Sequence, residues 1–184
     1  MRVITGTARG RKLEAPKGRS TRPTTDRVKE SIFNIIQFDI EGRRVLDLFA
    51  GSGQMGIECL SRGAESCVFV ESDPSAQKVV ERNIAATGFE GCSRLIRGDA
   101  FGALSSLRGQ KFGLILLDPP YGGELLNQAL RQIAEIDILQ TGGIIVCESA
   151  REDLIQPLEK PYRVKKQYRY GAIAITTFTR EETK

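Results

Sequence analysis

Val45-Leu46-Asp47-Leu48-Phe49-Ala50-Gly51-Ser52-Gly53-Gln54-Met55-Gly56 is the stretch that decides the fold. Val45–Phe49 reads as a strand, and Ser52–Arg62 reads as a helix closed by Gly63, with a glycine turn between them. A strand that runs through glycines into a helix is the first half of a βαβ unit. The alternation continues outward. Cys67–Glu71 is strand-like; Pro74–Thr87 is helix-like, with proline suited to its first turn and Gly88 to its stop. Arg94–Arg97, Leu114–Leu117 and Ile144–Cys147 are further strand-like runs. Leu125–Ile136 carries Leu126, Ala129, Leu130 and Ile133 on one helical face.

The pattern changes at the end. Tyr162–Tyr170 and Ala172–Phe178 are β-rich runs that meet at Gly171 with no helix between them, so the last strand must be antiparallel. The expected architecture is α/β: a mostly parallel seven-stranded, Rossmann-like sheet with helices on both faces and an antiparallel terminal hairpin. That is the plan of the class I methyltransferase fold.

A chain of 184 residues fits one domain, 1–184, and can bury a core without staples. No run of apolar residues is long enough for a membrane span, and the N-terminus lacks an apolar signal region. The expected address is the cytoplasm. Cys59, Cys67, Cys92 and Cys147 form no CxxC pair, and there is no histidine. Buried reduced thiols are therefore expected rather than zinc ligands, and no metal. Without histidine, Ser-His-Asp and Cys-His mechanisms are excluded.

The formal net charge is +4, and its placement is uneven. Residues 1–24 form a basic, glycine-broken extension in which Val3-Ile4 and Lys12-Leu13 can pair as a hairpin, followed by a loop at Lys17–Ser20. A helix capped near Thr25 or Asp26 follows, with Val28, Ile32, Ile35 and Ile36 on its apolar face. A second basic cluster is Lys160, Arg163, Lys165, Lys166 and Arg169. Two patches on a near-neutral body point to a polyanion, although a single patch reads equally well as a solvated face. Arg9, Arg11, Lys12, Arg19 and Arg22 are the candidate phosphate contacts.

Gly51 to Gly56 matches GxGxxG, and Glu71 follows Gly51 at the distance a dinucleotide site would use. Asp47 argues otherwise. A carboxylate in that crevice repels a pyrophosphate but attracts a cationic amino group. S-adenosylmethionine carries that group and no phosphate. Asp47, Phe49, Ala50, Gly51 and Gly53 then suit its methionine half. Glu71 can accept from both ribose hydroxyls, and Asp99, beside Ala100, from the adenine amine. The alternative for Glu71 and Asp99 is helix capping or strand-end solvation.

Lys111-Phe112-Gly113-Leu114-Ile115-Leu116-Leu117-Asp118-Pro119-Pro120-Tyr121-Gly122 carries the chemistry. An apolar strand ends in Asp-Pro-Pro-Tyr at the sheet edge where ligands bind, and the prolines delay the next helix. The exocyclic amine of a base donates its lone pair into the ring and is a poor nucleophile. Acceptors on its two N–H groups orient the nitrogen; the Asp118 carboxylate and Pro119 carbonyl can supply them. Asp118 can also relay the departing proton, and Tyr121 can stack on the base.

Asp118–Tyr121 resembles the amino-methyltransferase motif shared by DNA adenine-N6 and ribosomal RNA guanine-N2 enzymes. Arg22-Pro23-Thr24-Thr25-Asp26-Arg27-Val28-Lys29-Glu30-Ser31-Ile32-Phe33-Asn34, Val45–Gly53 and Ser61–Ala64 resemble the RsmD family, and the likeness spans nearly the whole chain. Gln54-Met55 departs from it, standing where small or apolar residues are expected. The resemblance implies methylation of a guanine N2 in bacterial 16S ribosomal RNA, inside an assembling small subunit that supplies much of the specificity. The competing readings are a DNA adenine-N6 enzyme, for which the chain has no room for a target-recognition insertion, and a non-catalytic RNA-binding protein on the same scaffold, against which the intact Asp118–Tyr121 stands. A nicotinamide oxidoreductase is disfavoured by Asp47.

Overall fold

The computed structural model describes residues 1–16, 26–120, 122 and 124–182. Seven strands form one sheet: β1 (Arg44–Asp47), β2 (Ser66–Glu71), β3 (Ser93–Arg97), β4 (Phe112–Leu117), β5 (Leu139–Ala150), β6 (Tyr162–Tyr170) and β7 (Ile173–Arg180). Their spatial order is β3-β2-β1-β4-β5-β7-β6. The first five are parallel; β7 runs antiparallel to both β5 and β6. A hairpin forces that reversal, since parallel neighbours need a crossover.

The helices are α1 (Asp26–Ile35), α2 (Gln54–Ser61), α3 (Pro74–Thr87), α4 (Ala100–Ser106) and α5 (Glu124–Ile136). Both sheet faces are covered, which is why β4 is buried along its whole length and reads as an unbroken apolar run. Val45, Leu114, Leu116, Ile144 and Val146 pack on one face with Ile32 of α1 and Ile57 of α2. Leu46, Ile115, Leu117, Ile145 and Cys147 pack on the other with Leu104 of α4 and Ile133 of α5. The strands proceed outward from β1 to β3 and then resume on the opposite side of β1 with β4. The crevice at that reversal, beyond the carboxyl ends of β1 and β4, is where such sheets bind ligands.

Local differences from the sequence pattern have local causes. The helix expected from Ser52 starts at Gln54, because Gly53 is left-handed at φ 78 and keeps the turn open. A Cβ on Gly56 would sit 2.3 Å from the Phe69 ring, so only glycine lets α2 lie this close to β2. Helix α4 was not foreseen: it is 7 residues long and has an interior glycine, Gly102, which weakens its periodic signal. Strand β5 is 12 residues, beginning at Leu139 rather than Ile144.

The leader forms a hairpin in which Met1–Val3, rather than Val3-Ile4, lies opposite Arg11–Leu13. Arg2 bridges Lys12, and the Val3 amide donates to Arg11 O at 3.0 Å. It is anchored on α2. Glu58 accepts from the Ile4 and Thr5 amides at 2.8 and 3.0 Å, and Ser61 Oγ accepts from the Ala8 amide at 3.0 Å. A Cβ on Gly6 would lie 1.7 Å from the Ser61 carbonyl oxygen, so the hairpin sits flush only because Gly6 has none. The Lys17–Ser20 loop and the cap expected at Thr25 fall outside the described residues; α1 begins at Asp26.

Candidate active site

Asp47, Glu71, Asp99 and Asp118 stand at or just past the ends of β1, β2, β3 and β4, and Asp47 and Asp118 line one cleft. Asp47 closes β1 and is 3% exposed. Its Oδ2 accepts the Gly56 amide at 3.0 Å, so it also holds the first turn of α2. Burial, opposed by that hydrogen bond and reinforced by the nearby Glu71 charge, pushes its pKa up to about 7. A carboxylate placed so is costly unless a cation meets it.

Phe49 is half-buried, and the Ala50 amide donates to Val70 O at 2.9 Å, which holds the glycine loop over β2. Glu71, at the end of β2, is the other clamp on this loop. Its Oε2 accepts from the Gly51 amide at 2.8 Å and its Oε1 from the Asp73 amide at 2.8 Å. Each carboxylate oxygen has a second lone pair, so both remain able to meet a hydroxyl. Capping of α3 falls to Asp73, which accepts from the Ser75 amide at 2.9 Å. Asp99 is exposed and caps α4, its Oδ1 accepting from Phe101 and Gly102 at 3.0 and 2.9 Å. The capping alternative is thus realised at Asp99, and it engages one oxygen. Ala100 beside it is buried.

Asp118 follows β4 and lines a cleft with Ile32, Asp47, Met55, Leu116, Leu117, Val146 and Glu148. Burial raises its pKa well above the usual carboxylate range, and the charges of Glu148 and Asp47 raise it further. Pro119 is buried next to it. Tyr121 lies outside the described residues. Sequence reasoning missed Glu148, Met55 and Ile32. The signal for Glu148 was present: an acid ending the apolar run Ile144–Cys147, just as Asp47 and Glu71 end theirs.

Arg9, Arg11 and Lys12 project to solvent from the hairpin, while Val3, Ala8 and Leu13 turn inward. Arg19 and Arg22 lie outside the described residues. Arg163, Lys165, Lys166 and Arg169 are exposed on β6, the sheet edge, where charge also discourages pairing with another strand. All four cysteines are free thiols; three are buried and Cys92 is half-buried. Among the described residues no group of three or more His, Cys, Asp or Glu side chains is placed to hold a metal. No helix among them is long and apolar enough to cross a membrane.

The chain is similar to known proteins. A family model described as "Conserved hypothetical protein 95" matches residues 1–179. YlbH of Bacillus subtilis strain 168 is 47% identical over 154 residues, covering 83% of this chain and 84% of its own length. "Ribosomal RNA small subunit methyltransferase D" of Escherichia coli K12 is 32% identical over 181 residues, covering 98% and 90%. The solved structure of Escherichia coli yhhF superposes with a TM-score of 0.87 at 31% identity, covering 100% of this chain and 99% of that one. An RNA methyltransferase from Salinibacter ruber, solved with S-adenosyl-L-homocysteine, has a TM-score of 0.66 at 17% identity over 88% and 95% of the two chains; it shares the fold. The match runs unbroken from the leader hairpin through the glycine loop and Asp118 to β7, and on that basis the chain belongs to the conserved hypothetical protein 95 family, the RsmD family of class I methyltransferases.

Proposed function

We propose that this protein methylates the exocyclic N2 of a guanine in small-subunit (16S) ribosomal RNA, with the RNA presented in an assembling subunit. The finer form of this reading is the guanine-966 type of activity. The observation that carries it is the half-buried Asp118 leading into buried Pro119 at the strand reversal, in one cleft with a buried carboxylate, Asp47.

S-adenosylmethionine is the cofactor, and it supplies a methyl group made electrophilic by a sulfonium. The residues present fit it. Asp47 would meet its ammonium, Glu71 would accept from the ribose hydroxyls, and Asp99 with Ala100 would hold the adenine. The backbone of Phe49, Ala50, Gly51 and Gly53 would hold the methionine portion. Asp118 and the Pro119 carbonyl each accept one N–H of the guanine amine, turning the nitrogen lone pair out of conjugation with the ring. As the nitrogen gains its methyl group it loses one proton, and Asp118 receives that proton. Tyr121 stacks on the extruded base. Arg9, Arg11, Lys12, Arg19 and Arg22 hold the flanking phosphates.

The test is direct. The protein is incubated with labelled S-adenosylmethionine and, separately, with naked RNA, DNA and unmethylated small ribosomal subunits, and the labelled nucleoside is identified. N2-methylguanosine from the subunits is the expected product. N6-methyladenine in DNA, or no transfer to any of the three, refutes the reading.

A further inference from the structure

Three carboxylates close one face of the sheet where it opens to solvent. On the face under α1 and α2, Val45 is followed by Asp47 on β1. Leu114 and Leu116 are followed by Asp118 after β4, and Ile144 and Val146 by Glu148 on β5. Side chains alternate along a strand, so each acid continues an apolar column. In the parallel β4–β5 ladder Leu117 stands opposite Cys147. Asp118 and Glu148 are the next pair, on adjacent strands about 4.8 Å apart. Both line the cleft that Ile32 and Met55 wall off, and Glu148 is 5% exposed. Burial raises the Asp118 pKa, and the second carboxylate beside it raises it further.

We propose that Glu148 reads the Watson–Crick edge of the target, accepting the guanine N1–H while Asp118 and the Pro119 carbonyl hold the N2 amine; this rests on the guanine-N2 reading above. Guanine presents two donors on neighbouring positions of that edge, N1–H and the N2 amine. Two carboxylates side by side are the complement. Adenine and cytosine present an amine beside an unprotonated ring nitrogen. With either amine seated at Asp118, that ring nitrogen turns a lone pair, and no N–H, toward the Glu148 oxygens. The same residue therefore attracts guanine and repels the other two amino bases. No bond to N1 is made or broken, so Glu148 determines which base is accepted and takes no proton.

Wild-type protein tests this first. Small subunits are reconstituted with the mapped target guanine replaced by 2-aminopurine, which keeps the 2-amine but has no hydrogen on N1. The expected kcat/KM is roughly 10- to 100-fold below that on guanine, the worth of a hydrogen bond to a charged group. Glu148→Gln should bring the two substrates together, because its amide can donate to a bare N1 or accept from N1–H. The 2-aminopurine to guanine ratio should rise at least about tenfold in that variant. S-adenosylmethionine affinity, measured by calorimetry, should stay within about twofold of wild type, since a group that contacts only the base contributes nothing to cofactor binding. An unchanged ratio, equal wild-type rates on the two substrates, or lost cofactor binding in Glu148→Gln overturns the proposal while N2-methylguanosine still forms. Failure to form N2-methylguanosine in wild-type protein sinks the parent reading instead, and the nucleoside analysis separates the two.

Discussion

Asp47 and Asp118 stand on neighbouring strands of one sheet face, one pleat apart. The β1–β4 register sets Asp47 opposite Leu116, so Asp118 projects from the same side, nearer the open edge. The two acids meet where the strand order reverses between β1 and β4. Burial raises the pKa of both carboxyls, and the Asp47 charge adds to the rise at Asp118.

Cofactor affinity should depend on pH through Asp47. With its pKa at about 7, Asp47 is largely neutral below that pH in the free protein. An ammonium partner favours the ionised form, so binding in acid must expel a proton. Affinity should rise by about fivefold between roughly pH 6 and pH 7, where the cofactor's own α-amino group stays largely charged. Calorimetry in buffers of different ionisation heat measures both the affinity and the proton released, and Asp47→Asn should flatten both. A pH-independent affinity with no proton exchange would remove Asp47 from the cofactor site. In the free protein the sign is opposite. The folded state holds the Asp47 proton more tightly than the unfolded chain does, so this residue lowers stability as pH climbs from the ordinary carboxylate range to about 7.

Asp118→Ala should keep the fold and cofactor binding, because the role proposed for Asp118 is toward the target amine. Single-turnover methylation should slow by about two orders of magnitude or more. In the wild type the rate should fall as pH drops, since the raised pKa leaves Asp118 protonated and unable to accept from the amine. Tyr121→Ala should lose roughly 1–3 kcal/mol of stacking, and Tyr121→Phe little, because the ring face makes the contact. A near-normal rate in Asp118→Ala, or equal damage from the two Tyr121 variants, contradicts the mechanism.

Neutralising Arg9, Arg11 and Lys12 together should weaken RNA binding and flatten its salt dependence, as fewer counterions are released. These side chains are exposed on a hairpin whose apolar residues point inward, so the fold should tolerate the change. Filter binding across a salt series gives the slope. A slope equal to that of wild type assigns them to a solvated face.

Glu58 ties the leader to the body. It pairs with buried Lys29 at 3.4 Å and with Arg62 at 2.9 Å while accepting two leader amides. Glu58→Ala takes the carboxylate away from a buried ammonium and should cost about 3–5 kcal/mol in denaturant unfolding. Proteolysis of the first 13 residues should accelerate in parallel, since Leu13 marks the inner end of the hairpin. Unaltered stability would mean that Lys29 does not depend on this pair.

Much of this protein is written locally. The apolar strand runs, the glycines at Gly51, Gly53 and Gly56, the stop at Gly88 and the Gly171 hairpin each have a periodicity or backbone requirement readable in a short window. So does the Asp-Pro-Pro-Tyr turn. These signals were enough for the sheet type and for the carboxylates at the ends of β1, β2 and β4. Helix α4 escaped because 7 residues around a glycine carry too little pattern.

What local pattern could not decide is which distant segments become neighbours. Glu148 lies 30 positions beyond Asp118 in the chain, and only the pairing of β4 with β5 sets them side by side in one cleft. The role of Glu58 as the anchor of the leader depends on a hairpin more than 50 positions away. The sequence by itself determined which elements form and which residue types end them, because backbone geometry and side-chain alternation act over a few residues. The tertiary structure alone decided which acids converge and how deeply they are buried, because strand order and desolvation depend on long-range packing.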